Sequence, residues 1–271
     1  MDNRIALKNG YILKTSSSLQ YQITSEIGRG ASCIVYEGNY LDSLGLHHKV
    51  RIKESYPHFL TIQRSENGYL TAEQEELFNK EKNKFLKAYE ESVHIREISG
   101  LVNSSINATN FFEWNNTEYI VTEYHEGSTY DTIKEQDLEE LLTTALAIAR
   151  VIRGYHNQEL LYLDLKPANV LILPESREHV VLFDFDSLIN VHELKEGKGV
   201  DIAVSDGYAA PEQKTCDLRK IGFYTDIYCL GVLVFEKLFH RFPTLLEMSL
   251  NHQYDFSAVQ YIDHHFTTFL K

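Results

Sequence analysis

The chain has 271 residues, 43% of them hydrophobic, enough to bury the core of one large domain or of two lobes. Its formal net charge of −13 argues against nucleic acid or an anionic membrane as the main partner, because both need clustered lysine and arginine. Three cysteines, none in a Cys-x-x-Cys pair, make no disulfide framework and point to a reducing, cytoplasmic setting, and no apolar run marks a signal peptide.

"LQYQITSEIG" (19–28) and "CIVYEGNYL" (33–41) alternate apolar and polar residues and flank a glycine-containing turn, so they predict two strands. "KVRIKESY" is a third alternating run. Residues 72–98 are charged, with Leu77, Phe78, Phe85, Tyr89 and Val93 at helical spacing. "TNFFEW" and "EYIVTEY" predict a hairpin turning at Asn115 and Asn116. From 137 the pattern turns helical: "DLEELLTTALAIARVIRGYHNQ" opens on Asp137 and an acidic first turn. Two short apolar runs follow, "VLIL" and "VVLF", and then a helix, "DIYCLGVLVFEKLF", whose longest apolar stretch is too short to cross a bilayer. A strand-rich part of roughly 125 residues thus precedes a helix-rich part, with "TEYHEG" (122–127) as the join.

Three stretches carry chemistry. In "IGRGASCIVYEG", Gly28 and Gly30 permit a tight turn whose amides can approach phosphate oxygens, and Cys33 stands where a third glycine would complete G-x-G-x-x-G. A dinucleotide fold needs a helix straight after the glycines; here the alternating pattern predicts a strand, which fits a hairpin lying over a nucleotide. Lys53, mid-strand among apolar neighbours, is either solvated or matched by an anion such as phosphate or a carboxylate. "YLDLKPANVLIL" sets Asp164, Lys166 and Asn169 close together, and Asp184 follows in "LFDFDS". Two acids and an amide near one hairpin suit Mg²⁺, which takes oxygen ligands and binds together with substrate phosphates. The adjacent histidine pairs 47–48 and 264–265 have no cysteine or acid cluster to complete a zinc site.

Taken in order, "IGRGASCIVYEG", "VRIK", "YLDLKPAN", "FDFD" and "GYAAPE" resemble the signature set of a eukaryotic-type Ser/Thr protein kinase domain of the divergent bacterial sort. The resemblance covers about residues 20–243 and includes "TDIYCLG", with Asp226 and Gly231. It implies an α+β, two-lobed protein kinase-like fold: an N-lobe at 1–123, an antiparallel sheet plus one helix, and a mainly helical C-lobe at 124–271. It further implies an ATP- and Mg²⁺-dependent transfer of the γ-phosphate to a protein serine or threonine. The glycines and Val35 would lie over ATP, and Lys53 would hold its α- and β-phosphates. Asp164 would orient the substrate hydroxyl and accept its proton, Lys166 would neutralise the γ-phosphate, and Asn169 and Asp184 would ligate Mg²⁺. The backbone of residues 123–125, with Glu123 and His125, would meet adenine. Ser205 would bond to Asp164 and Lys166. Glu90 is favoured as the partner of Lys53, with Glu81 as its rival.

The chain departs from the family pattern in places. Tyr162 and Leu163 replace the His-Arg before the catalytic aspartate, where the arginine usually clamps a phosphorylated segment, so activity is expected without phosphorylation of residues 187–209. Asp186 replaces the glycine of Asp-Phe-Gly. No arginine follows residue 243 to pair with Glu212, and the chain is expected to continue into further domains or to act with partner proteins. Two other classes stay open: a pseudokinase serving as a nucleotide-binding scaffold, and a small-molecule kinase of related fold.

Overall fold

The computed structural model describes residues 2–97, 108–174, 179–183, 188–197 and 202–248. The chain forms two compact units whose main boundary falls between His125 and Glu126.

The first unit contains β1 (Ile12–Lys14), β2 (Gln20–Arg29), β3 (Cys33–Leu41), β4 (His47–Ser55), β5 (Ile62–Arg64), β6 (Leu70–Ala72), α1 (Glu75–Glu97), β7 (Ala108–Trp114) and β8 (Thr117–Glu123). Six strands make one antiparallel sheet in the order β1-β2-β3-β4-β8-β7. Period-two alternation gives each strand two faces. Ile34, Tyr36, Ile52, Tyr119 and Val121 join the larger core, shared with Leu7 of the N-terminal segment and Leu70 of β6. Val35 and Ile120 face the other way, into a smaller cluster with Cys33, Ala108 and Phe85 of α1. Asn115 and Asn116 both take left-handed φ, 57° and 61°, as the tight turn between β7 and β8 requires.

The β5–β6 hairpin is an addition that the strand-by-strand reading of the sequence passed over. It turns at Asn67-Gly68, with Gly68 at φ +91°. Its Arg64 pairs with Glu54 on β4 at 2.6 Å, and Glu54 has no solvent exposure. Tyr36 and Tyr119 donate their hydroxyls to the same carboxylate at 2.7 and 2.6 Å. Burial, and after it the Glu54 charge, pushes both phenols well above their ordinary pKa, so they remain donors.

Glu118 on β8 is partly buried, and its Oε2 has no hydrogen-bond partner. Burial lifts its carboxyl from 4.5 to about 7. A raised carboxyl pKa favours the neutral form in the fold. Its contribution is therefore complete below 4.5 and lost as pH rises through about 7. Glu118→Gln is expected to stabilise the chain by about 1–2 kcal/mol near pH 8, allowing for solvent screening, and to change little at low pH. Urea unfolding at the two pH values checks this.

The second unit holds β9 (Ser128–Thr129), α2 (Leu138–His156), β10 (Leu160–Leu161), β11 (Val170–Ile172), β12 (Val180–Leu182), β13 (Ile189–Asn190), α3 (Val191–Glu196), α4 (Pro211–Lys214) and α5 (Phe223–Phe239). Asp137 and Glu140 cap α2 reciprocally. Leu141, Thr144, Ile148, Val151 and Tyr155 form its buried stripe, and α2 packs against α5. The sheet β12-β11-β9 and the pair β10-β13 frame the segment that carries Asp164. Among the described residues no helix is long and apolar enough to cross a membrane, and all three cysteines are free.

Candidate active site

The two units carry separate groups of candidate residues. In the first, the β2–β3 register pairs Gly28 with Val35 and Arg29 with Ile34, and the Gly30 N–H bonds to the Cys33 carbonyl at 2.9 Å. A strand follows the glycines, as the alternation predicts. Lys53 is half-buried on β4 between Val35 and Ile120, on the α1 side of the sheet. The next residue, Glu54, faces the opposite side. Glu90 does not sit where the sequence reading puts it: it is exposed, two residues past the buried Ala88, and among the described residues no ion pair joins it to Lys53. Two residues along a helix is more than half a turn, which carries the side chain off the face that packs on the sheet. Glu81 pairs with Lys84 at 2.9 Å. Glu123 ends β8 opposite Val50, and His125 Nε2 lies 3.7 Å from its carboxylate. Burial lowers the His125 pKa below the usual imidazole range.

In the second unit, Leu163 adopts φ 57°, and the Asp164 N–H closes the turn onto the Tyr162 carbonyl at 2.8 Å. A bulky residue in this region costs about 1–3 kcal/mol and persists only where its surroundings enforce it. Asp226 on α5 does so. Fully buried, it accepts the Tyr162 N–H at 3.0 Å, the Leu163 N–H at 2.7 Å and His156 Nε2 at 2.8 Å.

The turn delivers Asp164 into a dense set of donors. Its Oδ1 accepts the Ser205 hydroxyl at 2.5 Å; its Oδ2 accepts Lys166 Nζ at 2.8 Å and Asn169 Nδ2 at 2.9 Å. Lys166 Nζ also donates to Ser205 Oγ at 2.9 Å. Asp164, Lys166, Asn169 and Ser205, read from the sequence as one group, lie together. Asn169 Nδ2 also donates to the Asp164 carbonyl at 2.9 Å. With its amide protons committed to Asp164, its side-chain oxygen is the atom left to act as a hard ligand of the kind Mg²⁺ takes. Asp184 and Asp186 lie outside the described residues. Among the described residues no group of three or more His, Cys, Asp or Glu makes a metal cluster.

The model of the family described as the protein kinase domain matches residues 64–266. The chain belongs to that family. The match leaves out the glycine turn and Lys53. Serine/threonine-protein kinase D of Synechocystis is 28% identical over 58% of this chain and 32% of its own. A probable serine/threonine-protein kinase of Clostridium acetobutylicum is 25% identical over 90% of this chain and 34% of its own. The chain spans about a third of the length of these relatives. Among solved structures, PpkA-294 in its apo form aligns over 88% of this chain and 80% of its own, with TM-score 0.68 and 23% identity. The BubR1 kinase domain aligns over 89% and 68%, with TM-score 0.60 and 18% identity. These likenesses establish the two-lobed α+β kinase fold.

Several residues of this kinase domain have roles that sequence reasoning missed. Gln213, fully buried after "APE", donates to the carbonyls of Leu163 and Ala203 at 2.7 and 2.9 Å and accepts the Ala210 N–H at 2.8 Å. It thereby ties the Asp164 turn to the segment bearing Ser205. Glu212, for which the sequence offered no arginine, accepts the Thr225 hydroxyl at 2.8 Å. Gly207 holds φ +84°, and a β-carbon there would lie 2.3 Å from the Phe242 ring. Leu163 packs with Leu161, Ile189, Leu194 and Ile221 in an apolar cluster.

Proposed function

We propose that this kinase domain transfers the γ-phosphate of ATP to serine or threonine hydroxyls of proteins, with Mg²⁺ as cofactor. One observation carries the reading: Asp164, Lys166, Asn169 and Ser205 form a single hydrogen-bonded group on a turn pinned by buried Asp226. Asp164 orients the incoming hydroxyl and takes its proton, and Lys166 sets a positive charge beside the transferring phosphoryl. Ser205 fixes the rotamer of both. Asn169 and Asp184 hold the metal, which when bound neutralises charge developing on the phosphate oxygens. Lys53 binds the α- and β-phosphates, the turn at Gly28 and Gly30 covers them, and Val35, Glu123 and His125 line the adenine site. The two lobes correspond to the units that divide between His125 and Glu126, two residues past the 123/124 boundary the resemblance implies, and the chain works in the cytoplasm on a protein substrate.

Calorimetry with ATP, with and without Mg²⁺, and transfer of labelled γ-phosphate to serine- and threonine-containing proteins test the proposal. Metal-dependent uptake followed by labelled phosphoserine or phosphothreonine is the expected result. Uptake with no transfer to any protein or metabolite would make the chain a pseudokinase, and label appearing in metabolites alone would make it a small-molecule kinase.

Leu163, where the resemblance expects an arginine, packs with Ile189 and Leu194, which supports a segment held by apolar packing instead of by a phosphate clamp. A phosphatase-treated sample is expected to keep its rate within about twofold of the untreated one. An inactive dephosphorylated sample would refute this.

A further inference from the structure

Every backbone carbonyl of the turn between β2 and β3 has a hydrogen-bond donor. The Gly30 carbonyl accepts Arg4 Nη2 at 2.9 Å, and the Cys33 carbonyl accepts Arg4 Nη1 at 3.1 Å. Between them, the Ala31 carbonyl accepts the His58 N–H and the Ser32 carbonyl the Tyr56 N–H, both at 2.9 Å. Four consecutive carbonyls are therefore anchored by the N-terminal segment and the residues that follow β4. A planar trans peptide carries its N–H antiparallel to its C=O, so the amides of Ala31 and Ser32 point away from the Arg4 and His58 contacts. Among the described residues the Ala31 and Ser32 amides have no acceptor. Successive amides presented on one side form an anion cradle.

Arg4 is built for this task. Its side chain is 6% exposed, and its five N–H groups all find acceptors. Nε bonds to Asp2, Nη1 serves Cys33 and Tyr56, and Nη2 serves Asp2 at 2.5 Å and Gly30. Arg29 returns the contact, donating to the Arg4 carbonyl at 2.9 Å and lying 3.3 Å from the Asp2 carboxylate. The Asp2 carboxyl is held well below the usual range, first by its hydrogen bond to Arg4.

We infer that Arg4 is a positioning residue for nucleotide phosphates: by gripping the Gly30 and Cys33 carbonyls, the N-terminal segment aims the turn's amides at the phosphate chain. The inference rests on the kinase reading above. A lysine cannot replace it, because one ammonium cannot span three carbonyls set around a planar fork.

The test compares full-length wild type with Arg4→Gln and Arg4→Lys, measuring KM for ATP, kcat, and the Kd values of ATP and of adenosine, which lacks phosphates. Both variants are expected to raise the KM and Kd for ATP about tenfold, with kcat and the adenosine Kd within about twofold of wild type. Fluorescence of Trp114, the single tryptophan, on β7, reports whether the first unit is folded. If Arg4→Gln does not fold, Asp2→Asn carries the test, with a rise of about threefold in the ATP Kd expected. Unchanged ATP affinity in a folded variant overturns the inference, and so do equal losses for ATP and adenosine, the mark of general structural damage. A wild type that takes up no ATP overturns the kinase reading and the inference with it, whereas ATP-binding wild type with unaffected variants removes the inference alone.

Discussion

Asp164→Asn is expected to slow phosphoryl transfer about a thousandfold while leaving the ATP–Mg²⁺ Kd within about threefold of wild type. The carboxylate receives three donors: the Ser205 hydroxyl, the Lys166 ammonium and the Asn169 amide. An asparagine of the same shape accepts at one oxygen and donates at the other position. It therefore sets an N–H against either the Ser205 hydroxyl or the two nitrogen donors, and it takes no proton at neutral pH. The glycine turn and Lys53 lie in the other unit and are untouched by the change, so the loss is expected to fall on kcat. Single-turnover transfer of labelled phosphate beside calorimetric ATP binding separates the two effects. An Asp164→Asn chain with wild-type turnover would remove Asp164 from the role of base.

Arg64→Met is the largest expected effect on stability, a loss of about 3–5 kcal/mol from the first unit. Glu54 is fully buried, and the guanidinium of Arg64 supplies its counter-charge at 2.6 Å. Removing the cation leaves a buried carboxylate with two tyrosine hydroxyls and no opposite charge. The double variant Glu54→Gln/Arg64→Met removes the charge as well, and Tyr36 and Tyr119 can still donate to the amide oxygen. It is expected to cost less than the single Arg64→Met change, a sign of coupling between the two positions. Urea unfolding followed by Trp114 fluorescence reads the first unit directly, since that residue lies on β7. A double variant whose cost equals the sum of the separate Glu54→Gln and Arg64→Met costs would show that the pair is not coupled.

What could be read from the chain depended on how far apart the interacting residues stand in it. Asp164, Lys166 and Asn169 span six positions, and that spacing groups them, while the kinase resemblance adds the Ser205 bonds to Asp164 and Lys166. The main strands and helices were legible because their burial is periodic: β3, β4 and α2 each declare one buried face. The supports of the site were legible only in part: the kinase resemblance picks out Asp226 in "TDIYCLG", but not what it holds. Asp226 reaches Leu163 across 63 positions and Gln213 reaches it across 50, and nothing local announces either contact. Arg4 lies in a segment without periodicity, so its reach to the glycine turn had no sequence signal. The β5–β6 hairpin did leave one, the Asn67-Gly68 pair, but strands of three residues are too short for alternation to register. Glu90 shows the opposite failure: a plausible distance along the chain says nothing about which side of a helix a residue takes.

The acid beside Lys53 and the basic residue on the neighbouring hairpin also constrain how such a chain can change over generations. A lineage that lost the hairpin while keeping the acid would strand a charge under the sheet, and one that lost the acid first would bury an arginine with no counter-ion. Either step alone passes through a poorly folded ancestor, so the two traits should be inherited together. Relatives with a short link between the lysine strand and the following helix should carry a neutral residue immediately after that lysine.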